Sequence, residues 1–151
     1  MSGAGKTPSD RTHFSEVHGS ISAYGIFSHR HGIEIEQELG RSVTFVPHLV
    51  PLDRGILATI YTRLTPGTTA TAVSKVLDNA YKDAPFVRLT GDRSPTIKHV
   101  AHTNFCNIGW TVDGTRIVLV SCIDNLIKGA AGQALQSFNV ASGFDEREGL
   151  M

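Results

Sequence analysis

The stretch FCNIGWTVDGTRIVLVSCI, residues 105–123, decides the fold of this chain. Two runs rich in β-branched and aromatic residues, 105–112 and 115–123, flank the pair Asp113-Gly114. Asp-Gly between two such runs is typical of a tight β-hairpin turn. We therefore predict an antiparallel pair of strands here, from the strongest local signal in the chain.

Outside this hairpin, four further segments have the composition of strands. They are residues 21–29, 42–50, 55–64 and 86–89. Pro47 interrupts the second of them and indicates an edge or a bulge, because proline cannot donate to a strand ladder.

Three segments have a helical pattern. Residues 34–39 end at Gly40, residues 71–81 carry apolar side chains at helical spacing, and residues 129–140 end near Gly143. Strands joined by short turns, with helices inserted between them, favour an α+β fold. We predict a mixed, largely antiparallel sheet with helices on one face.

Composition excludes several classes of protein. The chain has 151 residues, of which 40% are hydrophobic and 19% charged, as expected for one folded domain. Its 14 basic and 14 acidic residues cancel, which argues against a nucleic-acid binder. No apolar run reaches the roughly 18 residues of a spanning helix, and residues 1–20 lack a signal-peptide pattern. We expect a cytoplasmic protein that binds neither membrane nor nucleic acid.

The two cysteines, Cys106 and Cys122, both lie in apolar, strand-like sequence. Reduced thiols are the favoured interpretation, and a single disulfide is the alternative. Neither cysteine has a base beside it in sequence that would activate it as a nucleophile.

The opening stretch Gly3-Ala4-Gly5-Lys6-Thr7 looks like part of a phosphate-binding P-loop. A P-loop needs a further glycine and a strand before this core, and too few residues precede Gly5 to supply them. We therefore reject the P-loop interpretation.

The most pointed chemical cluster is His29, His31 and Glu34. The two histidines alternate at a predicted strand end, and Glu34 can return beside His31 after one helical turn. A carboxylate that orients an imidazole is the usual support for a general acid or base. An exposed polar strand end and a metal site remain as alternatives, the latter typical of a metal-dependent hydrolase.

Two loops carry weaker signals. Arg54 could clamp a carboxylate or phosphate, or could pair with Asp53 or face water. Residues 124–132 join a strand to a helix rich in small residues, where free backbone N–H groups could meet an anion or cofactor. Plain close packing explains the second segment equally well.

Five segments in order along the chain carry a resemblance that covers essentially its whole length: residues 2–5, 12–16, 29–31 with 34–39, 47–49 with 54–59, and 124–134. Together they closely resemble the N-acetyl-gamma-glutamyl-phosphate reductases, NADP-dependent enzymes of arginine biosynthesis. The resemblance implies an oxidoreductase that reduces N-acetylglutamyl 5-phosphate to N-acetylglutamate 5-semialdehyde with NADPH.

The resemblance also implies a division of the chain. Residues 1–20 would be a linker remnant, residues 21–143 the substrate-binding and dimerisation domain, and residues 144–151 a tail. This domain is similar to the C-terminal domains of glyceraldehyde-3-phosphate and aspartate-semialdehyde dehydrogenases. The family's Rossmann domain and catalytic-cysteine segment do not occur in the sequence, so we expect the isolated chain to be inactive and to bind no cofactor.

Site residues follow from the resemblance in three groups. The acid or base that serves the family's thiol would be His31, oriented by Glu34, with His29 as an alternative or a substrate contact. No metal is implied. The residues predicted to contact substrate are Arg54, Ser2 and Gly3, and those predicted to contact NADP(H) are Asn125, Gly129 and Gly5.

Predicted partners are N-acetylglutamyl phosphate, the missing Rossmann domain and a second copy bound through the sheet. Without the Rossmann domain, Leu135 and Phe138 on the last helix should be exposed, docked elsewhere or covered by self-association. A noncatalytic module that dimerises through its sheet is the alternative function.

Overall fold

A computed structural model describes residues 2–5 and 7–150 and divides the chain into two compact units, Met1–Asp53 and Arg54–Met151. From Ser22 onward the predicted order of strand, helix, two strands, helix, three strands and helix is confirmed, and a short helix that was not predicted, Phe14–Val17, precedes it. Lys6 of the opening stretch lies outside the described residues.

The first unit contains short elements. They are helix α1 (Phe14–Val17), strand β1 (Ser22–Ala23), helix α2 (Arg30–Leu39) and strand β2 (His48–Leu49), with 3-10 turns at Ser2–Ala4 and Asp10–Thr12. Strands β1 and β2 pair antiparallel, with Ser22 opposite Leu49.

The strand predicted over 21–29 is wrong beyond Ala23. Gly25 and Phe27 both have φ of +57°, a left-handed conformation that a strand cannot contain. The backbone N–H groups of Ser28 and His29 donate to the Gly25 carbonyl, so the chain turns here. Helix α2 therefore begins at Arg30, four residues earlier than predicted.

The strand predicted over 42–50 is also too long, since only His48–Leu49 forms one. The N–H of Val43 donates to the Glu36 carboxylate at 3.0 Å instead of to a neighbouring strand. The predicted end of helix α2 is confirmed, because Gly40 caps it with φ of +63°.

The second unit is built on a four-stranded sheet. Its elements are β3 (Ile56–Arg63), α3 (Ala70–Tyr81), β4 (Val87–Gly91), β5 (Cys106–Asp113), β6 (Arg116–Ile123) and α4 (Gly132–Ser142), with a 3-10 turn at Ile97–His99 and a π-helical turn at Ile127–Ala131. The strand order is β3-β6-β5-β4. Only β4 and β5 are parallel, so the predicted α+β class with a mixed, largely antiparallel sheet is confirmed.

The predicted hairpin forms the middle of this sheet as β5 and β6, with Asp113 opposite Arg116. Its two loop residues are Gly114 and Thr115, one position later than the sequence pattern indicates. Gly114 has φ of +59°, as the first residue of a type II′ turn requires.

The core lies between α3 and one face of the sheet. Val73 of α3 packs with Trp110 of β5 and Ile117 of β6 in one buried cluster. The side chains of Trp110 and Ile117 share this face because strand side chains alternate and cross-strand neighbours point the same way. Burial of these apolar groups is the main favourable term in the stability of this unit.

Both cysteines are free thiols. Cys106 lies opposite Ile123, and Cys122 lies opposite Asn107, so the two thiols point to opposite faces of the sheet. This arrangement explains why the alternative disulfide does not form. Burial raises the pKa of the Cys122 thiol, and electrostatic repulsion from Cys106 raises this pKa further.

No helix in the described part of the chain is both long and apolar enough to cross a bilayer.

Candidate active site

His29 is the N-cap of helix α2. Its Nδ1 accepts a hydrogen bond from the backbone N–H of His31 at 3.2 Å, a role that Ser, Thr, Asp or Asn usually fills. An accepting Nδ1 places the proton of the neutral ring on Nε2. Nδ1 of His29 is therefore occupied by the hydrogen bond from the His31 backbone.

The His29 ring is also fixed by packing. Its centroid lies 5.4 Å from that of Tyr24, 4.8 Å from His31 and 5.5 Å from Phe45, each in an edge-on arrangement. Three ring contacts and a backbone hydrogen bond leave this imidazole little freedom to reorient.

His31 lies in the first turn of α2, with Glu34 one turn later on the same side. Their Nε2 and Oε2 atoms are 3.9 Å apart, which is longer than a hydrogen bond. Both side chains are exposed, His31 by 50% and Glu34 by 67%. The predicted neighbour relation is present, and the His31 ring is accessible to a reacting group in a way that His29 is not.

A second candidate cluster surrounds Asp124 in the other unit. Its side chain is fully buried and pairs with the Arg54 guanidinium, whose Nη1 lies 3.3 Å from Oδ2. Arg54 thus pairs with Asp124, and not with Asp53 as one prediction had it. Its side chain remains 31% exposed, so an anion can still reach it.

The Asp124 carboxylate also accepts three backbone hydrogen bonds, from His102 at 2.7 Å, Leu126 at 2.8 Å and Ile127 at 2.9 Å. Burial alone would raise the pKa of Asp124, but these donors and Arg54 together lower it below its ordinary value. The carboxylate is therefore ionised in the folded chain at neutral pH.

The strand-to-helix junction differs from the expectation that it offers free backbone N–H groups. Those of Leu126 and Ile127 are satisfied by Asp124. The Asn125 side chain accepts from the Gly55 N–H at 2.7 Å. A Cβ on Gly132 would lie 2.3 Å from Asn104 Oδ1, so close packing explains the small residue at this position.

The opening stretch lies in the first unit. The Ser2 hydroxyl donates to the Asp53 carbonyl at 2.9 Å, and Gly5 has φ of +78°. Ala4 and Gly5 line an open cavity of about 320 Å³. A Cβ on Gly3 or Gly5 would meet no atom within 4 Å, so neither glycine is required by packing within this chain.

Within residues 2–5 and 7–150, no three His, Cys, Asp or Glu side chains are grouped so that they could hold a metal ion. His29, His31 and Glu34, all among the described residues, do not form such a group.

Two features of these clusters differ in how far the sequence could have revealed them. Histidine is not a favoured N-cap, so nothing in the pattern indicates that His29 caps α2. Asp124 gave a signal that could have been used. Asp124 directly follows an apolar strand, and an acidic residue that is buried must be paired with a cation and hydrogen-bonded.

Solved structures define the class of fold. Aspartate semialdehyde dehydrogenase II from Vibrio cholerae matches 75% of this chain and 36% of its own, with a TM-score of 0.59 and 21% identity. Aspartate semialdehyde dehydrogenase from Francisella tularensis matches 83% of this chain and 40% of its own, with a TM-score of 0.62 and 12% identity. The chain shares part of the fold of these dehydrogenases.

The family described as "Semialdehyde dehydrogenase, dimerisation domain" matches residues 1–125, and the chain belongs to it. An N-acetyl-gamma-glutamyl-phosphate reductase from Aeromonas salmonicida (strain A449) is 49% identical over 151 residues, which are 100% of this chain and 44% of the relative. The reductase of the same name from Vibrio parahaemolyticus is 46% identical over 100% of this chain and 45% of its own. The chain thus spans a little under half the length of the relatives that it matches.

Proposed function

We propose that this chain is the substrate-binding and dimerisation part of a cytoplasmic N-acetyl-gamma-glutamyl-phosphate reductase of arginine biosynthesis. One observation carries the proposal: identity of 49% to a reductase of that name continues over all 151 residues. Local motifs alone would not produce such continuous agreement. The residue-level roles below rest on the geometry of the two clusters.

His31 is the residue that we assign to acid–base chemistry. The His31 side chain is half exposed, and its Nε2 lies 3.9 Å from the Glu34 carboxylate. The His29 ring, in contrast, accepts a hydrogen bond from the α2 backbone and contacts three aromatic rings. A general acid or base must reach the proton that it transfers, and His31 is exposed whereas His29 is half-buried. His29 then serves as the cap that positions His31.

NADP(H) is the cofactor that the proposal implies for the longer protein. Asn125 and Gly129, predicted to contact it, are engaged inside the chain: the Asn125 side chain accepts from the Gly55 N–H, and the Gly129 N–H donates to the Asp124 carbonyl at 2.9 Å. These two residues do not by themselves assemble a dinucleotide site. We therefore assign cofactor binding to the part of the longer protein that this chain does not match, and expect none on the isolated chain.

A second copy is the partner that the sheet supports. Strand β3 lies at the sheet edge and has one unpaired side along its eight residues. Ile56, Leu57, Ile60 and Tyr61 all expose about half or more of their surface, and no proline or glycine interrupts the strand. Natural proteins rarely leave such an apolar edge uncovered, so we propose that a second copy covers it.

The test is reconstitution. The chain is mixed with the part of the Aeromonas salmonicida reductase that it does not match, and NADPH oxidation is followed with N-acetyl-gamma-glutamyl phosphate. We expect turnover from the mixture and none from either part alone. Turnover by this chain alone would contradict the proposal. A mixture that associates but stays inactive would favour the noncatalytic dimerisation module.

A further inference from the structure

His102 adopts a conformation that its residue type disfavours. Its φ is +65°, in the left-handed region that glycine enters freely and that other residues enter at a steric penalty. His102 lies between the turn Ile97–His99 and strand β5, where it is exposed to solvent. A non-glycine residue held in this way is a reason to ask what its side chain contributes.

Asp124 is what holds His102 in this conformation. The His102 N–H donates to Asp124 Oδ2 at 2.7 Å, a charge-assisted hydrogen bond inside the protein. The same oxygen atom receives Arg54 Nη1 at 3.3 Å. The backbone of His102 and the guanidinium of Arg54 therefore meet at one oxygen of one buried carboxylate.

Both residues keep unused hydrogen-bond donors. Within residues 2–5 and 7–150, the His102 imidazole has no hydrogen-bond partner, and Arg54 has no side-chain partner other than Asp124. Only Nη1 of Arg54 is engaged, which leaves Nη2 and Nε as donors on a partly exposed guanidinium. The negative charge beneath them is already matched by four donors.

We propose that Arg54 and His102 form an oxyanion-binding site, in which Asp124 is the positioning residue. The site would take a phosphate or carboxylate group, which accepts from a guanidinium fork and an imidazole N–H together. It explains why a histidine is present where glycine would be unstrained, since glycine would remove the second donor. If the proposed function holds, the natural ligand is the phosphate or carboxylate of the acyl-phosphate substrate.

The experiment is an NMR titration of the 151-residue chain. Inorganic phosphate, and separately acetate, is added while the His102 ring signals and the Arg54 Nε–H signal are followed. We expect both residues to shift together and to saturate with at least one of the two anions, and the better anion identifies which group the site prefers. Absence of a saturable shift with either anion would overturn the site.

The variant His102→Gly separates binding from folding. Relief of the left-handed conformation should leave the Tm unchanged or raise it by about 2–4 °C. Loss of one hydrogen bond to a charged group should weaken anion affinity about tenfold. A His102→Gly chain that binds the anion as tightly as the parent would contradict the proposal.

His99→Asn is the matched control, since His99 is an exposed histidine in the same loop whose Nδ1 lies 3.3 Å from the Thr96 hydroxyl. It should change neither affinity nor Tm, and equal weakening by both variants would count against a specific site. Anion binding without reconstituted reductase activity would contradict the proposed function and support the oxyanion-binding site. Reductase activity without anion binding would support the proposed function and contradict the oxyanion-binding site.

Discussion

Gly132 is a residue whose missing side chain is required by its neighbours. A Cβ there would lie 2.3 Å from Asn104 Oδ1 and 2.9 Å from the Ile127 carbonyl oxygen. Its backbone is ordinary helix, with φ of −67°, so the requirement is space and not conformation. Both neighbours belong to buried or backbone groups that cannot swing aside.

We expect Gly132→Ala to lower the free energy of unfolding by about 1–3 kcal/mol, as overpacking in a tight interior does. Urea unfolding followed by circular dichroism measures this change. Gly129→Ala is the control, because its Cβ would stand at 3.4 Å from Ile123, an ordinary contact. The control should change stability by less than about 0.5 kcal/mol. Equal losses would show that steric overlap is not the cause.

His29 and His31 should separate when their stability and activity effects are compared. His29→Ala removes the cap of α2 and should cost about 1 kcal/mol, while His29→Asn restores a side chain that caps well. In the reconstituted enzyme, we expect His29→Asn to keep kcat within about tenfold. His31→Gln should reduce kcat by about 10²–10⁴-fold, the usual contribution of a general acid or base.

Urea unfolding of each variant is the control for that comparison, since His31 is exposed and its replacement should leave stability nearly unchanged. The opposite ranking, with His29→Asn inactive and His31→Gln active, would reassign the acid–base role to His29.

At the scale of elements, Asp124 links the Arg54 segment, the His102 loop and the start of the π-helical turn through its hydrogen bonds. The stabilisation from these hydrogen bonds depends on pH. The pKa of Asp124 is lower in the folded chain than in the unfolded chain, where it is about 3.9. The resulting stabilisation is complete above that value and is lost as the pH falls through the lower folded pKa. Urea unfolding between about pH 6 and pH 2 should show this loss of stability.

Asp124→Asn tests whether Asp124 is the source of that acid dependence. The amide retains one acceptor oxygen but leaves a buried N–H group and Arg54 without their charged partner. We expect a loss of about 3 kcal/mol at pH 7, as for other broken buried pairs, and a flatter acid limb. An acid limb as steep as that of the parent chain would show that other carboxyls cause it.

The sequence predicts the second unit better than the first, for reasons visible in particular residues. In the second unit, the alternation of β3 and the Asp-Gly signal between β5 and β6 act over a few residues, so local pattern suffices. In the first unit, Phe27 adopts a left-handed φ, which a sequence pattern indicates only where the residue is glycine. The backbone N–H of Val43 donates to the Glu36 carboxylate and not to a neighbouring strand. These backbone conformations depend on contacts that the hydrophobic periodicity of the sequence does not indicate.

The candidate sites divide in the same way. His31 and Glu34 are three residues apart, so helix geometry alone predicts that they are neighbours. Arg54 and Asp124 are 70 residues apart, and His102 and Asp124 are 22 apart. Their meeting depends on the pairing of β3 with β6 and on the path of the loop before β5. Tertiary structure, which the local pattern does not contain, creates that cluster.

For the whole molecule, the exposed edge of β3 determines assembly under our proposal. Tyr61 is 77% exposed on this strand, so Tyr61→Lys should not disturb the core of one copy. A lysine at an edge opposes strand pairing, because its charge would be buried in the interface. We expect this variant to shift the chain toward monomer in sedimentation equilibrium.

Val76→Lys is the matched control, since Val76 is an exposed apolar residue on helix α3, away from the edge. It should leave the association constant unchanged. If Tyr61→Lys associates as strongly as the parent chain, the β3 edge is not the contact between copies.

The pairing of β3 with β6 also has a consequence for the order of events during synthesis. Strands β5 and β6 are joined by two residues and can pair as soon as both exist, whereas Arg63 at the end of β3 must wait for Arg116. Closing so long a loop is slow compared with closing a hairpin. On a ribosome, β3 is the first strand of this sheet to emerge, and it stays unpaired until β6 follows. The strand that we propose for assembly is therefore also the one that a chaperone would have to protect longest.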